Sequence, residues 1–189
     1  MASRVYLALL HHPVYNKRGD VITTSITNLD IHDIARSSRT YDIEKLYFIH
    51  PAEAQQRLAG DILSYWQHGY GATYNADRKE ALSIVHIKNT LADAVAEISS
   101  VCGKAPIIAT TDARTFPNTV TYRQFRMEME QADSPYLVLF GTGWGIEREL
   151  MQSFDYILEP IMGRGDYNHL SVRAAAAIIL DRLLGQKWW

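Results

Sequence analysis

The chain has 189 residues, of which 47% are hydrophobic and 21% are charged, and its formal net charge is −2. This apolar content argues against wholesale disorder, the length suits one domain over residues 1–189, and the charge excludes a polycationic nucleic-acid coat. The longest apolar run, residues 174–180, is far shorter than the roughly 20 residues that span a bilayer, so no membrane segment is expected. The single cysteine, Cys102, cannot form an internal disulfide, which favours a cytoplasmic location.

Strand-like and helix-like segments alternate through the first half of the chain. In chain order, the pattern predicts a buried strand at 5–10, a polar loop at 11–27, a helix at 29–40 capped by Asn28 or Asp30, a strand at 45–49, a helix at 51–68 and a loop at 69–78. The loop at 11–27 exceeds the usual length of a connection, and loops of that length are commonly functional or disordered.

The second half continues the same alternation. It predicts a strand at 82–88, a helix at 91–102 capped by Asn89 or Thr90 and ended by Gly103, a strand at 107–111, a polar helix at 122–131, strands at 136–140 and 156–158, and a last helix at 168–184. This alternation predicts an α/β fold, with a mostly parallel sheet flanked by helices on both faces. In such sheets, ligands bind beyond the carboxyl ends of the strands.

A glycine-rich segment, Leu-Phe-Gly-Thr-Gly-Trp-Gly at residues 139–145, directly follows a predicted strand and precedes a helix that begins near Glu147. Glycines at such a turn let the backbone approach a ligand closely and leave N–H groups free to meet polar ligand atoms. The alternative is a tight turn that only needs positive φ angles. The segment departs from the dinucleotide-binding fingerprint, whose third glycine falls one residue later, and from a phosphate-binding loop, because no Lys-Ser or Lys-Thr follows.

A second segment, residues 157–172, reads Ile-Leu-Glu-Pro-Ile-Met-Gly-Arg-Gly-Asp-Tyr-Asn-His-Leu-Ser-Val. A predicted strand ends at Pro160, a loop with Gly163 and Gly165 follows, and a helix comes after the loop. The irregular N–H and C=O groups of such a loop suit recognition of a purine edge. The alternative is an ordinary capped connection between a strand and a helix.

Two arginines on the first predicted helix form a third candidate site. Arg36 and Arg39 lie three residues apart and therefore share one helix face. Two neighbouring guanidinium groups suit phosphate or another acidic group. The alternative is a solvated face on which these arginines pair with Asp33 or Asp42.

The other chemistry-bearing residues predict neither a metal site nor a catalytic serine. The seven histidines show no HxH or HExxH spacing, and one cysteine supplies no zinc framework, so no metal is expected. The sequence also lacks a Gly-x-Ser-x-Gly elbow. His169 differs from the other histidines because it lies within the second segment.

The three segments occur in the order and with the spacing of motifs 1, 2 and 3 of the SPOUT class of S-adenosylmethionine-dependent RNA methyltransferases. Residues 28–41 resemble motif 1, residues 137–145 resemble motif 2, and residues 157–176 resemble motif 3. Four residues of motif 3 keep the family's relative positions, namely Pro160, Gly163, Ser171 and Val172. The chain looks nearest to a bacterial group of predicted SAM-dependent RNA methyltransferases. The resemblance implies an α/β fold with a C-terminal trefoil knot that forms the cofactor site, an RNA substrate and a homodimer.

By position, the resemblance implies cofactor contacts from several parts of the chain. These residues are Thr110, Thr111, Phe140, Gly141, Gly143, Leu158, Pro160, Ile161, Asn168, His169 and Leu170. Arg36 falls on the arginine of motif 1, which in relatives helps bind RNA phosphate or activate the nucleophile. Three positions depart from the family pattern: residues 30–33 replace the motif 1 glycine, Gly143 replaces the motif 2 glutamate of the ribose-methylating branch, and His169 stands where motif 3 has asparagine.

Two methyl acceptors remain open for a transfer from S-adenosylmethionine to tRNA or rRNA. If the acceptor is a ribose hydroxyl, we expect Arg36 to stabilise the developing oxyanion. If it is a base nitrogen, we expect Asp166 or His169 to act as the general base. The missing glutamate and asparagine motivate an alternative, a SAM-binding or RNA-binding module without turnover. A Rossmann-like nucleotide-binding enzyme is the third hypothesis.

The net charge of −2 predicts that RNA is bound by a few cations brought together in three dimensions. The candidates are Arg36, Arg39, Arg164 and the pair Lys17 and Arg18. The alanine-rich residues 174–177 permit close helix approach, and the pair Trp188 and Trp189 would be costly to leave in water. Both features favour a homodimer, and packing within one subunit is the alternative for each.

Overall fold

One sheet of parallel strands organises the structure, a computed structural model that describes residues 3–186. Within those residues, the sheet contains β1 (Val5–Leu10), β4 (Leu46–Ile49), β5 (Val85–Lys88), β6 (Ile107–Thr111), β7 (Thr119–Val120), β8 (Tyr136–Gly141) and β9 (Tyr156–Leu158). The spatial order is β5-β4-β1-β8-β6-β9-β7, and all neighbouring pairs are parallel. A separate antiparallel hairpin is formed by β2 (Val14–Tyr15) and β3 (Val21–Ile22). The prediction of a parallel sheet is therefore confirmed.

Helices cover both faces of the sheet, as predicted. They are α1 (Asn28–Thr40), α2 (Glu53–Gln67), α3 (Tyr70–Tyr74), α4 (Ala76–Leu82), α5 (Leu91–Cys102), α6 (Tyr122–Gln131), α7 (Arg148–Gln152) and α8 (Val172–Leu184). On one face, α1, α2, α6 and α8 share a core with Leu7 and Leu9 of β1. On the other face, α5 and α7 share a core with Tyr6 and Ala8. Because successive strand residues point to opposite faces, a strand covered on both sides must be apolar throughout, as β1 is.

The helix caps match the predictions in part. Thr27 caps α1, and not the predicted Asn28 or Asp30, because its hydroxyl accepts a hydrogen bond from the N–H of Asp30. Thr90 caps α5 with a reciprocal capping box, and that helix ends at Gly103 in the left-handed region, as predicted. Thr27 caps α1 because it lies three residues before Asp30, the spacing at which a capping hydroxyl reaches a free N–H of the first turn.

The two predicted loops both contain regular structure. The segment predicted as a loop at 11–27 holds the hairpin, and the one at 69–78 holds α3 and the start of α4. The side-chain oxygen of Asn16 closes the hairpin turn by accepting from the N–H groups of Arg18 and Asp20. Two-residue strands and one-turn helices are too short to leave a periodic pattern in the sequence.

Several element boundaries also differ from the predictions. Helix α4 extends to Leu82, so β5 begins at Val85 and not at residue 82. Helix α8 begins at Val172 and not at residue 168, because the hydroxyl of Ser171 caps it. The short edge strand β7 was not predicted. Among residues 3–186, no helix combines the length and the apolar character that crossing a membrane requires.

Candidate active site

A cavity of about 860 Å³ lies at the carboxyl edge of the sheet, beyond the ends of β6 and β8. Most of its lining comes from four stretches of chain, within residues 24–30, 111–114, 140–145 and 161–175, and Tyr122 and Ile179 complete it. Parallel sheets bind ligands at this edge, because the loops that follow neighbouring strands converge there. The volume falls within the range of small-molecule sites, roughly 300–1,000 Å³.

The glycine-rich loop after β8 is held in place by the hairpin. Gly143 has a φ of +60°, and a Cβ atom there would lie 2.7 Å from the carbonyl oxygen of Tyr15. The same carbonyl accepts from the N–H of Trp144 at 2.8 Å, and the N–H of Tyr15 donates to the carbonyl of Gly145 at 2.9 Å. The turn therefore requires glycine at position 143, by its φ angle and by the close approach of another backbone, while the residue also lines the cavity.

An ion pair lies against this loop on the side of β6, where a Cβ atom at Gly145 would be 3.0 Å from Oδ2 of Asp112 and 3.2 Å from Nη2 of Arg114. The nearly buried carboxylate of Asp112 accepts from Nε and Nη2 of Arg114 at 2.8 and 2.9 Å. The hydrogen bond to Asp112 raises the pKa of Arg114. Nδ2 of Asn168 donates to the carbonyl of Ala113 at 2.7 Å, which joins the loop after β9 to the loop after β6. The loops that follow β6, β8 and β9 thus meet around one cavity.

Three aromatic rings border the cavity on its solvent side. The ring centroid of His169 lies 6.3 Å from that of Trp144 and 5.7 Å from that of Tyr167. Trp144 is 54% exposed and Tyr167 is 77% exposed. Rings that stay exposed together beside a cavity indicate a surface that contacts a ligand, since their burial would be favourable.

Another wall of the cavity contains polar groups that are shielded from water. The hydroxyl of Thr24 bonds to Nδ1 of His11 at 3.0 Å and to the hydroxyl of Thr142. The carbonyl of Thr24 accepts from Nε2 of His50 at 2.9 Å. Burial, with a smaller effect of His50, lowers the pKa of His11 to about 4. Burial also lowers the pKa of His50, so both imidazoles are neutral near pH 7.

Charged residues join α1 to α8 beside the cavity. Nη1 of Arg173 donates to Oδ1 of Asp30 at 3.0 Å, and Nε of Arg173 lies 3.3 Å from Oδ2 of Asp33. The carboxylate of Asp30 is nearly buried and also accepts from the hydroxyl of Thr27 at 2.6 Å. Because a buried carboxylate needs partners of this kind, the bridge fixes the first turn of α8 against α1.

Most of the expected cofactor residues line this one cavity. They are Thr111, Phe140, Gly141, Gly143, Ile161, Asn168, His169 and Leu170. The other three lie outside its lining. Thr110 is buried and donates to the carbonyl of Leu139 at 3.4 Å, Leu158 is buried in the core, and Pro160 follows the end of β9.

The three expected catalytic residues do not converge within one chain. His169 lines the cavity, whereas Asp166 is exposed in the loop between β9 and α8, outside the lining. Arg36 lines a separate groove of about 690 Å³ between α1 and α8. The Arg36 side chain is exposed and forms no ion pair with any residue between 3 and 186.

Arg39 differs from Arg36 because it forms ion pairs with neighbouring carboxylates. Its guanidinium pairs with Glu80 at 2.8 Å and with Asp42 at 3.4 Å. The pairing with Asp42, one of the two alternatives for this helix face, is therefore confirmed for Arg39. Because Asp42 and Glu80 already neutralise the guanidinium of Arg39, this arginine is less suited than Arg36 to contact a phosphate.

Sequence reasoning missed several residues that line the cavity. They are Thr24, Ser25, Thr27, Asp30, Asp112, Arg114, Trp144, Tyr167 and Arg173, among others. A signal existed for Asp112 and Arg114, because charged residues directly after a parallel strand lie at the ligand-binding edge. Thr24 and Arg173 carried no local signal, since they reach the cavity only through the packing of the hairpin and of α8.

The chain matches the model of a SAM-dependent RNA methyltransferase family over residues 4–185. It therefore belongs to this family of enzymes, whose cofactor is S-adenosylmethionine, and the resemblance of the three motifs is confirmed. An uncharacterized protein of Aquifex aeolicus is 47% identical to it over 182 residues, which are 96% of this chain and 89% of that protein.

A second relative is much longer than this chain. A tRNA (guanine-N(1)-)-methyltransferase of Oleidesulfovibrio alaskensis is 42% identical over 181 residues, which are 96% of this chain and 42% of that protein. The chain thus spans less than half the length of this relative. A solved structure of a putative methylase family protein from Neisseria gonorrhoeae has a TM-score of 0.63 at 17% identity, over 98% of this chain and 84% of that chain. This likeness concerns the fold alone.

Proposed function

We propose that the chain binds S-adenosylmethionine in the cavity beyond β6 and β8 and transfers the methyl group to tRNA or rRNA. One observation carries the proposal. The loops of motif 2 and motif 3, at residues 140–145 and 161–173, are separate in sequence but line one cavity of about 860 Å³. Membership of the family supports both the cofactor and the class of substrate.

The lining residues fit a cofactor that is part apolar and part polar. Phe140, Ile161 and Leu170 offer apolar surface, and the backbone of residues 141–145 offers N–H and C=O groups. When bound, S-adenosylmethionine supplies an electrophilic methyl group on a sulfonium. Apolar side chains beside this group favour transfer, because a positive charge disappears from the pocket as the reaction proceeds. Thr110, Leu158 and Pro160 would support the lining from behind.

The catalytic roles depend on the acceptor. For a ribose hydroxyl, Arg36 stabilises the oxyanion that develops on the RNA, and for a ring nitrogen, His169 or Asp166 takes the proton. His169 has the better position for this role, because it lines the cavity. Arg36 lines a neighbouring groove, so we propose that it serves the cavity of a second subunit.

The position of Arg36 and the family resemblance both support a homodimer. The groove that contains Arg36 also exposes the small side chains of Ala174 and Ala177, which permit close approach of another helix. Trp188 and Trp189, the other feature that favoured a dimer, lie outside the described residues. Light scattering at micromolar concentration should give twice the monomer mass, and a monomeric mass would overturn this part of the proposal.

The proposal extends to a C-terminal trefoil knot, which the resemblance implies, to one domain over residues 1–189, which the length favours, and to a cytoplasmic location, which the single cysteine favours. The knot rests on the resemblance, and the structure gives the contacts of the chain after β9. The loop between β9 and α8 is tied to the carbonyl of Ala113 through Asn168, and α8 then packs against α1 and α6.

tRNA is the preferred substrate class within this proposal. The long relatives that are 42% and 43% identical are named tRNA methyltransferases, although that name describes proteins of more than twice the matched length. The exposed rings of Trp144 and Tyr167 provide stacking surfaces for bases next to the cavity.

Two measurements test the proposed function. Isothermal titration should show binding of S-adenosylmethionine, and failure to bind would overturn the proposal. Tritiated S-adenosylmethionine should then label tRNA or rRNA from a strain that lacks the protein, and mass spectrometry of the nucleosides should identify the product. Cofactor binding without any label transfer would favour a binding module, and binding of NAD in place of S-adenosylmethionine would favour a Rossmann-like enzyme.

A further inference from the structure

We infer that Thr24 and Thr142 form a wall of the cavity that only accepts hydrogen bonds and therefore binds a hydrogen-bond donor of the cofactor. Both threonines line the cavity. Their hydroxyls belong to a chain of three hydrogen bonds that begins at His11 and ends at the carbonyl of Leu10. The identity of the ligand rests on the proposed function, whereas the direction of the hydrogen bonds does not.

The direction follows from the number of protons available, starting at Leu10. The hydroxyl of Thr142 lies 3.2 Å from the carbonyl oxygen of Leu10, and a carbonyl only accepts, so Thr142 commits its one proton there. Thr142 must then accept in its other bond, which makes the hydroxyl of Thr24 the donor. The hydroxyl of Thr24 donates its one proton to Thr142, so it must accept from Nδ1 of His11, which lies 3.0 Å away. Burial keeps His11 neutral near pH 7, so this proton on Nδ1 is the only N–H of its ring.

The backbone of Thr24 is fixed by the neighbouring histidine. The N–H of Ala52 donates to Nδ1 of His50 at 3.0 Å, which leaves the proton of His50 on Nε2. Nε2 then donates to the carbonyl of Thr24 at 2.9 Å, and the N–H of Thr24 donates to the carbonyl of His11 at 3.0 Å. Because the main chain and the side chain are both held, a ligand cannot simply rotate Thr24 to obtain a donor.

The network leaves acceptors, but no hydroxyl proton, for a ligand. Each threonine oxygen has two lone pairs and uses one of them, so one remains on Thr24 and one on Thr142. Nε2 of His11 carries a further lone pair, is buried and has no hydrogen-bond partner among residues 3–186. This lone pair lies behind the wall, because His11 does not itself line the cavity. S-Adenosylmethionine offers donors in its ammonium group, its adenine amino group and its ribose hydroxyls.

The direction of the hydrogen bonds is tested without any ligand. Long-range proton–nitrogen NMR at pH 7 should show His11 as the neutral Nδ1–H tautomer and His50 as the neutral Nε2–H tautomer. A His11 that carries its proton on Nε2 would reverse the chain of hydrogen bonds and overturn the inference. This result is independent of whether the protein binds S-adenosylmethionine.

Two pairs of variants test the effect on binding, measured by titration with S-adenosylmethionine. Thr142→Val should weaken binding about tenfold, because it removes an acceptor, whereas Thr142→Ser should bind like the wild type. His11→Asn keeps a nitrogen donor at the place of Nδ1 and should bind within about twofold of the wild type. His11→Gln places its donor at Nε2 and should bind about tenfold more weakly. Thermal melting of each variant checks that it is folded.

The donor group is identified with a second ligand, 5′-methylthioadenosine, which lacks the amino-acid portion. If Thr142→Val loses affinity for S-adenosylmethionine but not for 5′-methylthioadenosine, the donor bound by the wall is the ammonium group. If it loses affinity equally for both ligands, the donor belongs to the adenosine portion. Unchanged affinities of Thr142→Val and His11→Gln for S-adenosylmethionine would overturn the inference and leave the proposed function intact. A wild-type protein that binds neither ligand would instead overturn the proposed function and, with it, the assignment of the ligand.

Discussion

His11 and His50 lie side by side with ring centroids 5.6 Å apart, and both contact Thr24 at the wall of the cavity. Burial lowers the pKa of both rings, and the neighbouring His50 adds a smaller lowering effect on the pKa of His11. Two neutral imidazoles can each donate one hydrogen bond and accept another, which a pair of cations cannot do. At the residue scale, the site is therefore shaped by neutral polar groups whose protons have fixed positions.

The neutrality of His11 predicts a loss of stability in mild acid. An unfolded chain takes up a proton at His11 below about pH 6.5, whereas the folded protein does so only below about pH 4. Between these values the unfolded state binds more protons, so the free energy of unfolding rises with pH and His11 contributes fully above pH 6.5. The contribution of His11 is at most about 3 kcal/mol.

Urea denaturation between pH 4.5 and 7.5 measures this effect, with His11→Asn as the comparison. The variant lacks the titrating group and should show a shallower rise of stability with pH. His32, His50 and His86 have lowered pKa values too, so part of the rise should remain in the variant. Identical pH profiles for the two proteins would contradict the role given to His11.

Arg36 should be needed for methyl transfer and not for folding. Its side chain is exposed and unpaired within residues 3–186, so Arg36→Ala should change the free energy of unfolding by no more than about 0.5 kcal/mol. If it stabilises an oxyanion, label transfer from tritiated S-adenosylmethionine should fall roughly 100-fold. Cofactor binding should not change, because Arg36 lies outside the cavity.

Arg39→Ala is the matched control for Arg36→Ala. Arg39 occupies the same helix but pairs with Glu80 and Asp42, so its removal should leave methyl transfer nearly unchanged. Equal losses in both variants would indicate a general effect on α1, and full activity of Arg36→Ala would exclude a catalytic role for that arginine.

At the element scale, the site depends on how α1 and α8 meet. Arg173 on α8 pairs with Asp30 and Asp33 on α1, and Tyr41 after α1 donates to Asp181 of α8 at 2.9 Å. The pairs of Arg173 set the first turn of α8, and with it the loop of residues 161–171, part of which lines the cavity, whereas Tyr41 holds the other end of this helix. The pair Arg173–Asp30 thus has both a structural and a binding consequence.

Arg173→Ala should destabilise the protein and weaken cofactor binding together. It leaves the nearly buried carboxylate of Asp30 without its cation, which we expect to cost about 2 kcal/mol in the free energy of unfolding. Asp33→Asn is the control, because the Asp33 side chain is half exposed and its pair should contribute less than about 1 kcal/mol. Urea denaturation measures the free energy of unfolding of both variants. Equal losses in Arg173→Ala and Asp33→Asn would contradict the conclusion that the pair with Asp30 contributes most of the stability.

The long periodic elements could be predicted from the sequence, and the short ones could not. An apolar run such as residues 5–10 predicted a buried strand, and the pattern of Thr90 and Gly103 predicted both ends of α5, because each signal is local. The hairpin, α3 and β7 were missed, since their formation depends on neighbours that are distant in sequence. The hairpin matters most, because it holds the glycine-rich loop through Tyr15.

At the scale of the whole molecule, the net charge of −2 supplies no general attraction for RNA, so RNA binding depends on individual exposed cations. Arg39 is paired with carboxylates, so the candidates are reduced to Lys17, Arg18, Arg36 and Arg164. These four are exposed and form no ion pair within residues 3–186. We therefore expect few phosphate contacts per subunit and no dependence on a broad basic face.

The affinity for tRNA should depend only modestly on salt. If the four cations each contact one phosphate, the logarithm of the binding constant should fall with the logarithm of salt concentration with a slope of roughly −3. Filter binding between 50 and 200 mM salt would measure it, with Arg164→Ala expected to reduce the slope by about one. A slope several times steeper would show that other cations contribute.

The sequence by itself determined the fold class, because strand and helix periodicity is a local property of the chain. The three motifs and the residues expected at the cofactor rest on the resemblance to the methyltransferase family. Only the tertiary structure decided which of these residues share a cavity. It set Arg36 apart from His169 and added Thr24, Asp30 and Arg173, because these positions depend on packing between distant segments. It also fixed the protons of His11 and Thr24, since a hydrogen-bond direction exists only when every partner is in place.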